Sequence, residues 1–400
     1  MEDKIKSIYI IALAALGGGL SGGDRIFIEF ARRWSKKIPT EIFVWEEGFQ
    51  MCKRENLEGA NLKISLVEVG FFSRLGFVVT YFYRTLLGIK LGFSLNLKDS
   101  DYIYSASEFW MDCLPAFIIK LRNPKINWIA AWYQTAPNPI TGFTEGNREN
   151  TYKIRAFFYW LIQQTTKPLI FSNADFILVN NDLEKIHFGE SNAKLITVLG
   201  AVKTEDISKY QKTHEQKSEK KYLAVFQGRF HPQKGVVEFI DIWRKVVDKL
   251  PNAKLAMIGD GPLMGDVKKG IKKLALEKNI ELFGYLHDGE KKYDIFQKSK
   301  IVVHPAFYDS GGMAAAEAMA FGLPCVGFDL KSYESYYPKG MIKVNVGDQE
   351  AFANVIIEFN KNGSLYKKIA KDGLKMIKER WSWDTRTEQV LSLIMPKNSQ

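Results

Sequence analysis

Two short segments of this chain combine residue types that suit a diphosphate and sugar hydroxyl groups. The first, residues 228–235, places two cations, Arg229 and Lys234, directly after an apolar run. An arginine offers a planar fork of donors and a lysine a compact charge, so together they match the oxygens of a diphosphate. Alone, this loop is better explained by two solvated cations, and only its position opposite a second anion-binding feature favours a site.

The second segment, residues 309–317, contains a Gly311-Gly312 turn between two carboxylates, and a short alanine-rich helix follows the turn. The start of a helix exposes backbone N–H groups that bind anions. Glu317 lies on this helix and can accept hydrogen bonds from vicinal hydroxyls, although a mid-helix acid beside a core explains it equally well. Together the two segments predict one site for a phosphate and a polyhydroxyl group.

Glycine-rich turns follow two further apolar runs. Gly18 and Gly19 belong to a loop, residues 17–23, that lets the backbone approach a ligand closely. This loop lacks the GxGxxG register, and no acid stands at a clean end of the next strand to hold a ribose, so a nicotinamide enzyme is not favoured. Gly259 belongs to a tight turn at residues 259–262, for which plain chain reversal is the better interpretation.

The composition narrows the classes of function. With 400 residues, 46% of them hydrophobic and 25% charged, the chain is long enough for two domains with separate cores. A net charge of +11 suits phosphorylated substrates, anionic lipid or nucleic acid, but no nucleic-acid motif accompanies it, and a lysine-rich solvated surface explains it as well. Three scattered cysteines form no disulfide framework and indicate a reducing, cytoplasmic compartment.

Metal sites and membrane spans are not expected. Asp99-Ser100-Asp101 resembles the DxD motif of some sugar transferases, but it precedes an apolar run, so we interpret it as a turn. The five histidines show no metal-ligand spacing. The apolar run at residues 8–16 is interpreted as a first strand in preference to a signal peptide, and no run reaches the ~20 residues that cross a bilayer.

Short apolar runs alternate with longer mixed segments, which predicts a doubly wound α/β fold. The polar stretch at residues 206–221 is predicted to be an exposed linker. It separates an N-terminal domain, residues 1–205, from a C-terminal domain, residues 222–383, and the last helix, residues 384–400, is expected to pack back on the first domain. We predict two facing Rossmann-like domains with parallel sheets, whose ligands bind at the carboxyl ends of the strands.

Residues 71–97 are rich in aromatic and aliphatic side chains, and Arg74, Arg84, Lys90 and Lys98 are spaced through and after them. Basic residues beside a broad apolar face fit a helix that lies in a membrane interface. A core-facing pair of helices fits the same residues equally well. With the net charge, the segment favours peripheral attachment to the inner face of the plasma membrane.

These motifs together resemble glycosyltransferase family 4 on the GT-B fold. The resemblance is strongest over residues 224–328, which contain GRFHPQKG, IGDGP, LFGYL and HPAFYDSGG…EAMAFGLPCVGFD, and it is weaker in the N-terminal half. It implies a retaining, hexosyltransferase-like enzyme that needs no cofactor or metal. It also implies a nucleotide-sugar donor, such as a UDP- or GDP-sugar, bound mainly by the C-terminal domain. The N-terminal domain is then expected to bind a glycan or lipid-linked acceptor in cell-envelope synthesis.

The resemblance also implies roles for individual residues. Arg229 and Lys234 match the family's diphosphate-binding cations, and Glu317 matches the glutamate that holds the nucleotide ribose. Asp309 stands where the family has its first glutamate, and Tyr133 is the nearest match to a family histidine; these two and the cations form the predicted catalytic set. The other predicted donor contacts are Gly18, Gly19, Gly228, Gly259, Tyr285, Leu286, Gly311, Gly312 and Met313.

Two departures from the family pattern leave other functions open. Asp309 is one methylene shorter than the family glutamate, and the N-terminal half has Tyr133 near the position of the histidine. Both departures suit a non-catalytic subunit that keeps the GT-B fold and partners an active transferase. Another GT-B enzyme, such as a sugar-nucleotide epimerase, is a further alternative, whereas a phosphorylase would carry a pyridoxal lysine in a longer chain.

Overall fold

The computed structural model describes residues 6–16, 19–214 and 219–395. Its backbone contacts divide the chain into two compact units. Unit 1 consists of Met1–Ala136, Phe158–Leu199 and Asp384–Gln400, and unit 2 consists of Pro137–Phe157 and Gly200–Trp383. Each unit has its own sheet and its own hydrophobic core.

The described residues of unit 1 form seven strands: β1 (Ile8–Ile11), β2 (Thr40–Val44), β3 (Leu62–Leu66), β4 (Tyr102–Ser105), β5 (Asn127–Trp132), β6 (Phe176–Val179) and β7 (Lys194–Thr197). They pair in parallel in the order β3-β2-β1-β4-β5-β6-β7. The central strands are apolar and buried, as parallel strands between layers of helices must be. The strand order reverses between β1 and β4, so the sheet is doubly wound.

The helices of the first part of the chain are α1 (Gly22–Trp34), α2 (Glu46–Arg54), α3 (Phe77–Ser94), α4 (Trp110–Arg122) and α5 (Lys153–Asn173). Ser21 caps α1 through a capping box with Asp24, because each side chain accepts from the other's backbone N–H. Ile26, Phe27 and Phe30 face the core at helical spacing, as the sequence predicts.

The described residues of unit 2 form six strands: β8 (Tyr222–Gln227), β9 (Leu255–Ile258), β10 (Ile280–Gly284), β11 (Ser299–His304), β12 (Cys325–Phe328) and β13 (Met341–Val344). All pair in parallel, in the order β10-β9-β8-β11-β12-β13. This is again the doubly wound Rossmann order, with its switch point between β8 and β11. Ligands of such sheets bind beyond the carboxyl ends of the strands at that point.

The helices of the rest of the chain are α6 (Thr204–Thr213), α7 (Glu238–Lys249), α8 (Met264–Lys273), α9 (Glu290–Gln297), α10 (Met313–Met319), α11 (Tyr333–Tyr336), α12 (Gln349–Lys361), α13 (Gly363–Arg380) and α14 (Trp383–Ile394). Phe239 of α7 and Phe352 of α12 meet edge to face in the core, with ring centroids 5.8 Å apart. α14 lies in unit 1 apart from its first residue, and there the backbone oxygen of Thr387 accepts from the indole of Trp34 at 3.1 Å.

The prediction of an exposed linker at residues 206–221 is wrong for the first part of this range, because α6 occupies Thr204–Thr213. Ile207 and Tyr210 stand three residues apart and are buried on one face of this helix. The Tyr210 ring packs on Tyr293 and Phe321, with ring centroids 5.4 and 6.0 Å away. Two apolar contacts are enough to anchor a helix whose remaining residues are polar. Residues 215–218 lie outside the described residues.

The predicted boundary at residue 205 also differs from the structure, since Pro137–Phe157 belongs to unit 2. A buried arginine anchors this segment: Nε of Arg148 donates to Glu238 at 2.6 Å, and Nη1 donates to the backbone oxygen of Pro232 at 2.5 Å. Its guanidinium also lies 4.5 Å from the centroid of the Phe307 ring. No composition change marks this excursion, so the sequence pattern gave no sign of it.

Candidate functional site

Backbone hydrogen bonds join the loop after β8 to the loop after β9, and Gly259 allows the two loops to approach closely. The backbone N–H of Gly228 donates to Ile258 at 3.0 Å, and that of Phe230 donates to Asp260 at 2.8 Å. Gly259 has φ of +145°, and a Cβ there would lie 1.9 Å from the carbonyl oxygen of Gly228. Only glycine fits this approach. Gly259 therefore fixes the backbone that carries Arg229, in addition to reversing the chain.

Asp309 is the centre of a hydrogen-bonded cluster at the switch point. Its Oδ2 accepts from Nζ of Lys234 at 2.5 Å and from the Tyr333 hydroxyl at 3.1 Å, and it lies 3.2 Å from Nε2 of His304. The carboxylate is almost buried, with 9% of the side chain exposed. Burial alone raises its pKa, but the Lys234 ammonium and the His304 ring outweigh that effect and hold the pKa of Asp309 well below its usual range.

The Gly311-Gly312 turn lies directly against this cluster. Gly312 has φ of +80°, and a Cβ there would lie 2.8 Å from Nε2 of His304 and 3.4 Å from Oδ2 of Asp309. α10 begins at the next residue, Met313, with Gly312 as its N-cap. The Gly311 amide, which the sequence pattern assigned to an anion, points at Oδ1 of Asp309 across 3.4 Å. The structure therefore brings Lys234, Asp309 and the glycine turn together.

Glu317, on α10, lies in a second polar cluster next to the end of β8. Its Oε2 accepts from Nε2 of Gln227 at 2.7 Å and from Nζ of Lys292 at 2.7 Å. Glu317 is 7% exposed and Lys292 is 2% exposed, so the charges pair inside the unit. The ammonium and the amide hold this carboxylate by hydrogen bonds, and carboxylate oxygens can accept further hydrogen bonds from hydroxyl groups.

His231 lies between the two predicted diphosphate-binding cations in sequence. Burial lowers the pKa of its imidazole to about 3, and the charges of Arg229, Lys234 and Arg155 act in the same direction. The ring meets Phe143 edge to face, with centroids 5.6 Å apart. His231 is therefore neutral at physiological pH, and the positive charge of this loop comes from Arg229 and Lys234.

The depressed pKa of His231 makes the stability of the protein depend on pH. The unfolded histidine titrates near pH 6.5 and the folded one near 3, so the unfolded state binds more protons in between. Stability should be fully present above about pH 6.5 and fall as the pH drops below it, by up to about 2 kcal/mol at pH 5. Urea unfolding at pH 7.5 and pH 5 should show this loss in the wild type and a smaller loss in His231→Gln. Equal losses in both would show that the imidazole is not the cause.

The remaining predicted site residues fall in several places. In unit 2, the ring centroids of Tyr285 and His287 are 5.0 Å apart, and Leu286 lies between these two residues in sequence. The Met313 side chain packs closely on Gly200, since a Cβ on Gly200 would lie 2.1 Å from the Met313 side chain. In unit 1, the Tyr133 hydroxyl lies 2.6 Å from that of buried Tyr104, and Gly19 is half-buried. Gly18 lies outside the described residues.

Four residues of the two clusters escaped the sequence analysis: Gln227, Lys292, His304 and Tyr333. Gln227 and His304 are the last residues of β8 and β11, so a search for polar residues at strand ends would have found them. Lys292 is one of many lysines, and Tyr333 approaches from the far side of β12. Neither residue carries a local sequence signal.

The Asp99-Ser100-Asp101 segment has structural partners. Asp99 pairs with Lys125 at 2.9 Å, and Asp101 accepts from the backbone N–H groups of Ser7 and Lys98 at 3.0 and 2.9 Å. Within the described residues, no cluster of three or more histidine, cysteine, aspartate or glutamate side chains could hold a metal ion.

Residues 207–376 match the family model described as "Glycosyl transferases group 1". This stretch covers most of unit 2, including both clusters. The second unit therefore carries the sequence pattern of group 1 glycosyl transferases.

Curated relatives bear similar names. The glycosyltransferase MJ1059 of Methanocaldococcus jannaschii, which is itself uncharacterized, is 27% identical over 207 residues, or 49% of this chain and 47% of that protein. The capsular polysaccharide biosynthesis glycosyltransferase CapM of Staphylococcus aureus is 24% identical over 295 residues, 69% of this chain and 76% of that protein. The chain spans about half the length, or less, of most of the curated relatives that it matches.

Among solved structures, Anabaena Alr3699/HepE in complex with UDP and glucose has a TM-score of 0.71 and 14% sequence identity, and the match covers 98% of this chain and 100% of that chain. At this identity the likeness shows the fold. The chain has the α/β GT-B fold, with two Rossmann-like units that each contain a parallel sheet, as the sequence resemblance implies.

Proposed function

We propose that this protein is a glycosyltransferase of family 4 that moves a sugar, with retention, from a nucleoside-diphosphate sugar to a hydroxyl group. The observation that carries the proposal is the Lys234–Asp309–Gly312 cluster at the switch point of the second sheet. It puts a cation, a carboxylate and a glycine turn where open α/β sheets bind ligands. The group 1 family match over the same residues and the names of the relatives support the same activity.

Each cluster suits one part of such a donor. Lys234 and Arg229 supply the positive charge for the diphosphate, and Asp309, next to Lys234, can accept a hydrogen bond from the donor sugar. The carboxylate of Glu317 can accept hydrogen bonds from the ribose hydroxyls. The bound UDP of HepE is the kind of ligand that this arrangement suits, and either UDP or GDP is compatible with it.

The reaction breaks the bond between the anomeric carbon and the diphosphate, whose oxygen keeps the electron pair. The acceptor oxygen forms the new bond to that carbon, and its proton passes to the departing diphosphate oxygen. Negative charge grows on the leaving diphosphate while the sugar becomes positive. Cations already fixed beside the diphosphate stabilise this charge without reorganising, and such preorganised groups are commonly the largest source of catalysis. We propose that no metal is required, because Lys234 and Arg229 can supply the counter-charge.

Ligand-induced stabilisation tests the donor class. A panel of UDP, GDP, ADP and their sugar conjugates should contain a compound that raises the melting temperature, because a ligand that binds only the folded state stabilises it. Purified chain should then transfer or hydrolyse the sugar of that donor. Binding without turnover would indicate the non-catalytic subunit instead, and no stabilisation by any compound of the panel would contradict the proposal.

The acceptor side of the proposal depends on an apolar surface of unit 1, which we call the α3 apolar face. One face of α3 packs closely on α4: a Cβ on Gly88 would lie 2.7 Å from the Met111 oxygen, and one on Gly92 would lie 2.9 Å from Cα of Pro115. The opposite face, the first turn of the helix and the turn before it expose large apolar side chains: Phe71, Phe72, Leu75, Phe77, Val78, Val79, Phe82, Leu86 and Phe93. The helix is thus neither purely core-facing nor solvated.

The charges around the α3 apolar face suit an anionic membrane. Arg74, Lys90 and Lys98 are exposed beside it. Arg84 is buried, and its Nη1 donates to the backbone oxygen of Leu13 at 3.0 Å. The expectation that Arg84 lies at the membrane interface is therefore wrong. An apolar face with a basic border binds lipid headgroups and acyl chains together. We propose that the protein attaches peripherally to the inner face of the plasma membrane and uses a lipid-linked or glycan acceptor.

The described residues contain no helix that is both long enough and apolar enough to span a bilayer.

Flotation with vesicles tests the membrane surface. The protein should float with phosphatidylglycerol vesicles at low salt, and Phe71→Ser/Phe77→Ser should reduce the floating fraction at least about fivefold, because it removes two rings that are each 68% exposed. Ile186→Ser is the matched control, since Ile186 is 82% exposed on another segment of unit 1. Equal flotation of the double variant and the wild type would contradict the proposed surface, as would a wild type that stays soluble.

A further inference from the structure

Lys292 is a buried cation that the roles described so far do not use. It lies on α9 with 2% of its surface exposed. Its Nζ donates to Oδ1 of Asp288 at 2.5 Å and to Oε2 of Glu317 at 2.7 Å. A lysine almost never enters the interior unless its charge is compensated, and here two carboxylates compensate it.

The contacts of Lys292 extend into a chain of four charged groups. Lys203 lies 3.4 Å from Oδ2 of Asp288, so two ammonium groups alternate with two carboxylates. Gln227 closes the chain by donating its amide to Oε2 of Glu317 at 2.7 Å. This series of contacts therefore runs from Lys203, just before α6, to Gln227, the last residue of β8.

The geometry at Glu317 constrains the orientation of its carboxylate. Lys292 and Gln227 both donate to the same oxygen, Oε2, from two different elements, α9 and β8. Two donors on one oxygen restrict rotation of the Glu317 carboxylate. Because its side chain is already fixed, it loses no rotamer entropy when a ligand binds. The Gln227 amide must point its NH₂ at the carboxylate, which settles its orientation. Its Oε1 is buried and receives no hydrogen bond from the described residues.

We propose that Lys292 is a positioning residue for recognition of the nucleotide ribose. Through its hydrogen bond to Oε2 it orients Glu317, so that this carboxylate accepts hydrogen bonds from the ribose hydroxyls, with Oε1 of Gln227 as a second acceptor beside it. This inference rests on the proposed nucleotide-sugar donor. Lys292 itself touches neither the sugar nor the diphosphate; it acts through Glu317.

A purely structural role would leave a different signature. As an anchor for α9, Lys292 would affect the stability of the protein and weaken every nucleotide equally. As a positioning residue, it controls only the part of the affinity that comes from the ribose hydroxyls. A site built around buried acceptors rejects a ligand that lacks the matching hydroxyl, because the acceptor is left unpaired.

The test is a double-mutant-type cycle, in which a protein substitution is combined with removal of a ligand hydroxyl and each affinity is measured by isothermal titration calorimetry. UDP and GDP, and the 2′-deoxy and 3′-deoxy forms of each, are titrated into the wild type and into Lys292→Met. We expect the wild type to bind at least one deoxy form of its preferred nucleotide at least about tenfold more weakly. In Lys292→Met this difference should shrink to within about twofold, because an unfixed carboxylate no longer discriminates. Lys292→Arg should restore part of it.

Two further variants provide a control and a replacement for Lys292→Met. Lys298→Met is the matched control: it changes an exposed lysine just after α9 and should keep the wild-type discrimination. If Lys292→Met does not fold, Lys292→Gln takes its place: it keeps a polar side chain beside Asp288 but is too short to hold Oε2 as lysine does, and should reduce the discrimination in the same way. Folded variants that discriminate as the wild type does, or a wild type that ignores the deoxy substitutions, would overturn the inference alone. If the wild type binds neither UDP nor GDP, and ADP does not stabilise it either, the proposed function is overturned as well.

Discussion

Lys234→Ala should lower turnover of the nucleotide sugar at least about 100-fold, because it removes a fixed cation from the site where charge grows on the leaving diphosphate. Lys234 is positioned by its bond to Asp309, 2.5 Å away, next to the glycine turn. Arg229→Ala should have an effect of similar size, since Arg229 lies in the same loop and its charge already acts on His231. Turnover is measured with purified protein, as transfer or as hydrolysis of the donor sugar.

The structure supplies a matched control for this loss. Lys269→Ala removes an exposed lysine of the same unit and should leave turnover within about twofold of the wild type. Lys234→Ala also leaves the nearly buried Asp309 without its strongest partner, so melting temperatures must be compared to separate instability from lost catalysis. Folded Lys234→Ala and Arg229→Ala with nearly wild-type turnover would show that these cations do not act on the leaving group.

Gly235→Ala should have the second large effect, on both stability and nucleotide binding. Gly235 has φ of +60°, and a Cβ there would lie 2.1 Å from the backbone oxygen of Pro305 and 2.9 Å from the Phe307 ring. The two loops are also joined by the Phe307 N–H, which donates to Gln233 at 2.8 Å. The substitution must therefore push the loop after β8 away from the loop after β11. We expect a loss of about 2 to 5 kcal/mol in the free energy of unfolding.

The same displacement should carry Lys234 away from Asp309 and weaken nucleotide binding at least about tenfold, because fixed geometry is what the site contributes. Gly265→Ala is the control: a Cβ on Gly265 meets nothing within 4 Å, and the position is helical. Alanine is favoured over glycine in a helix, so this variant should be as stable as the wild type or slightly more stable. If Gly235→Ala behaves like Gly265→Ala, the two loops do not depend on that close contact.

Part of the site could be predicted because strand ends are visible in the sequence. Lys234 and Gly312 are 78 positions apart, yet each follows an apolar run, and neighbouring parallel strands bring such loops to one edge of a sheet. The order of the strands was the step that the sequence could not supply. The hydrogen-bonded pairing of β8 with β11 now provides it. Asp309, Gly312 and Lys234 are in contact because of that pairing.

Other parts of the site depend on contacts that have no local signal. Tyr333 reaches Asp309 from beyond β12, and Lys292 reaches Glu317 from α9. Their residue types are common and their spacing follows no motif.

The division of the chain shows a second limit of pattern analysis. The polar composition of residues 206–221 predicted an exposed linker, but Ile207 and Tyr210 anchor its first part as a helix. Arg148 ties Pro137–Phe157 into unit 2 through a long-range ion pair with Glu238. Long-range pairs of this kind decide which unit a segment joins, and composition does not reveal them.

The central claim is that the loop after β8 and the glycine turn after β11 together hold the diphosphate of a nucleotide. The most direct test compares UDP with UMP, and GDP with GMP, by calorimetry on the wild type and on Lys234→Ala. The account predicts that the wild type binds the preferred diphosphate at least about tenfold more tightly than its monophosphate, and that Lys234→Ala removes most of this preference. Equal affinity of the wild type for diphosphate and monophosphate, or a preference that survives in Lys234→Ala, would contradict it.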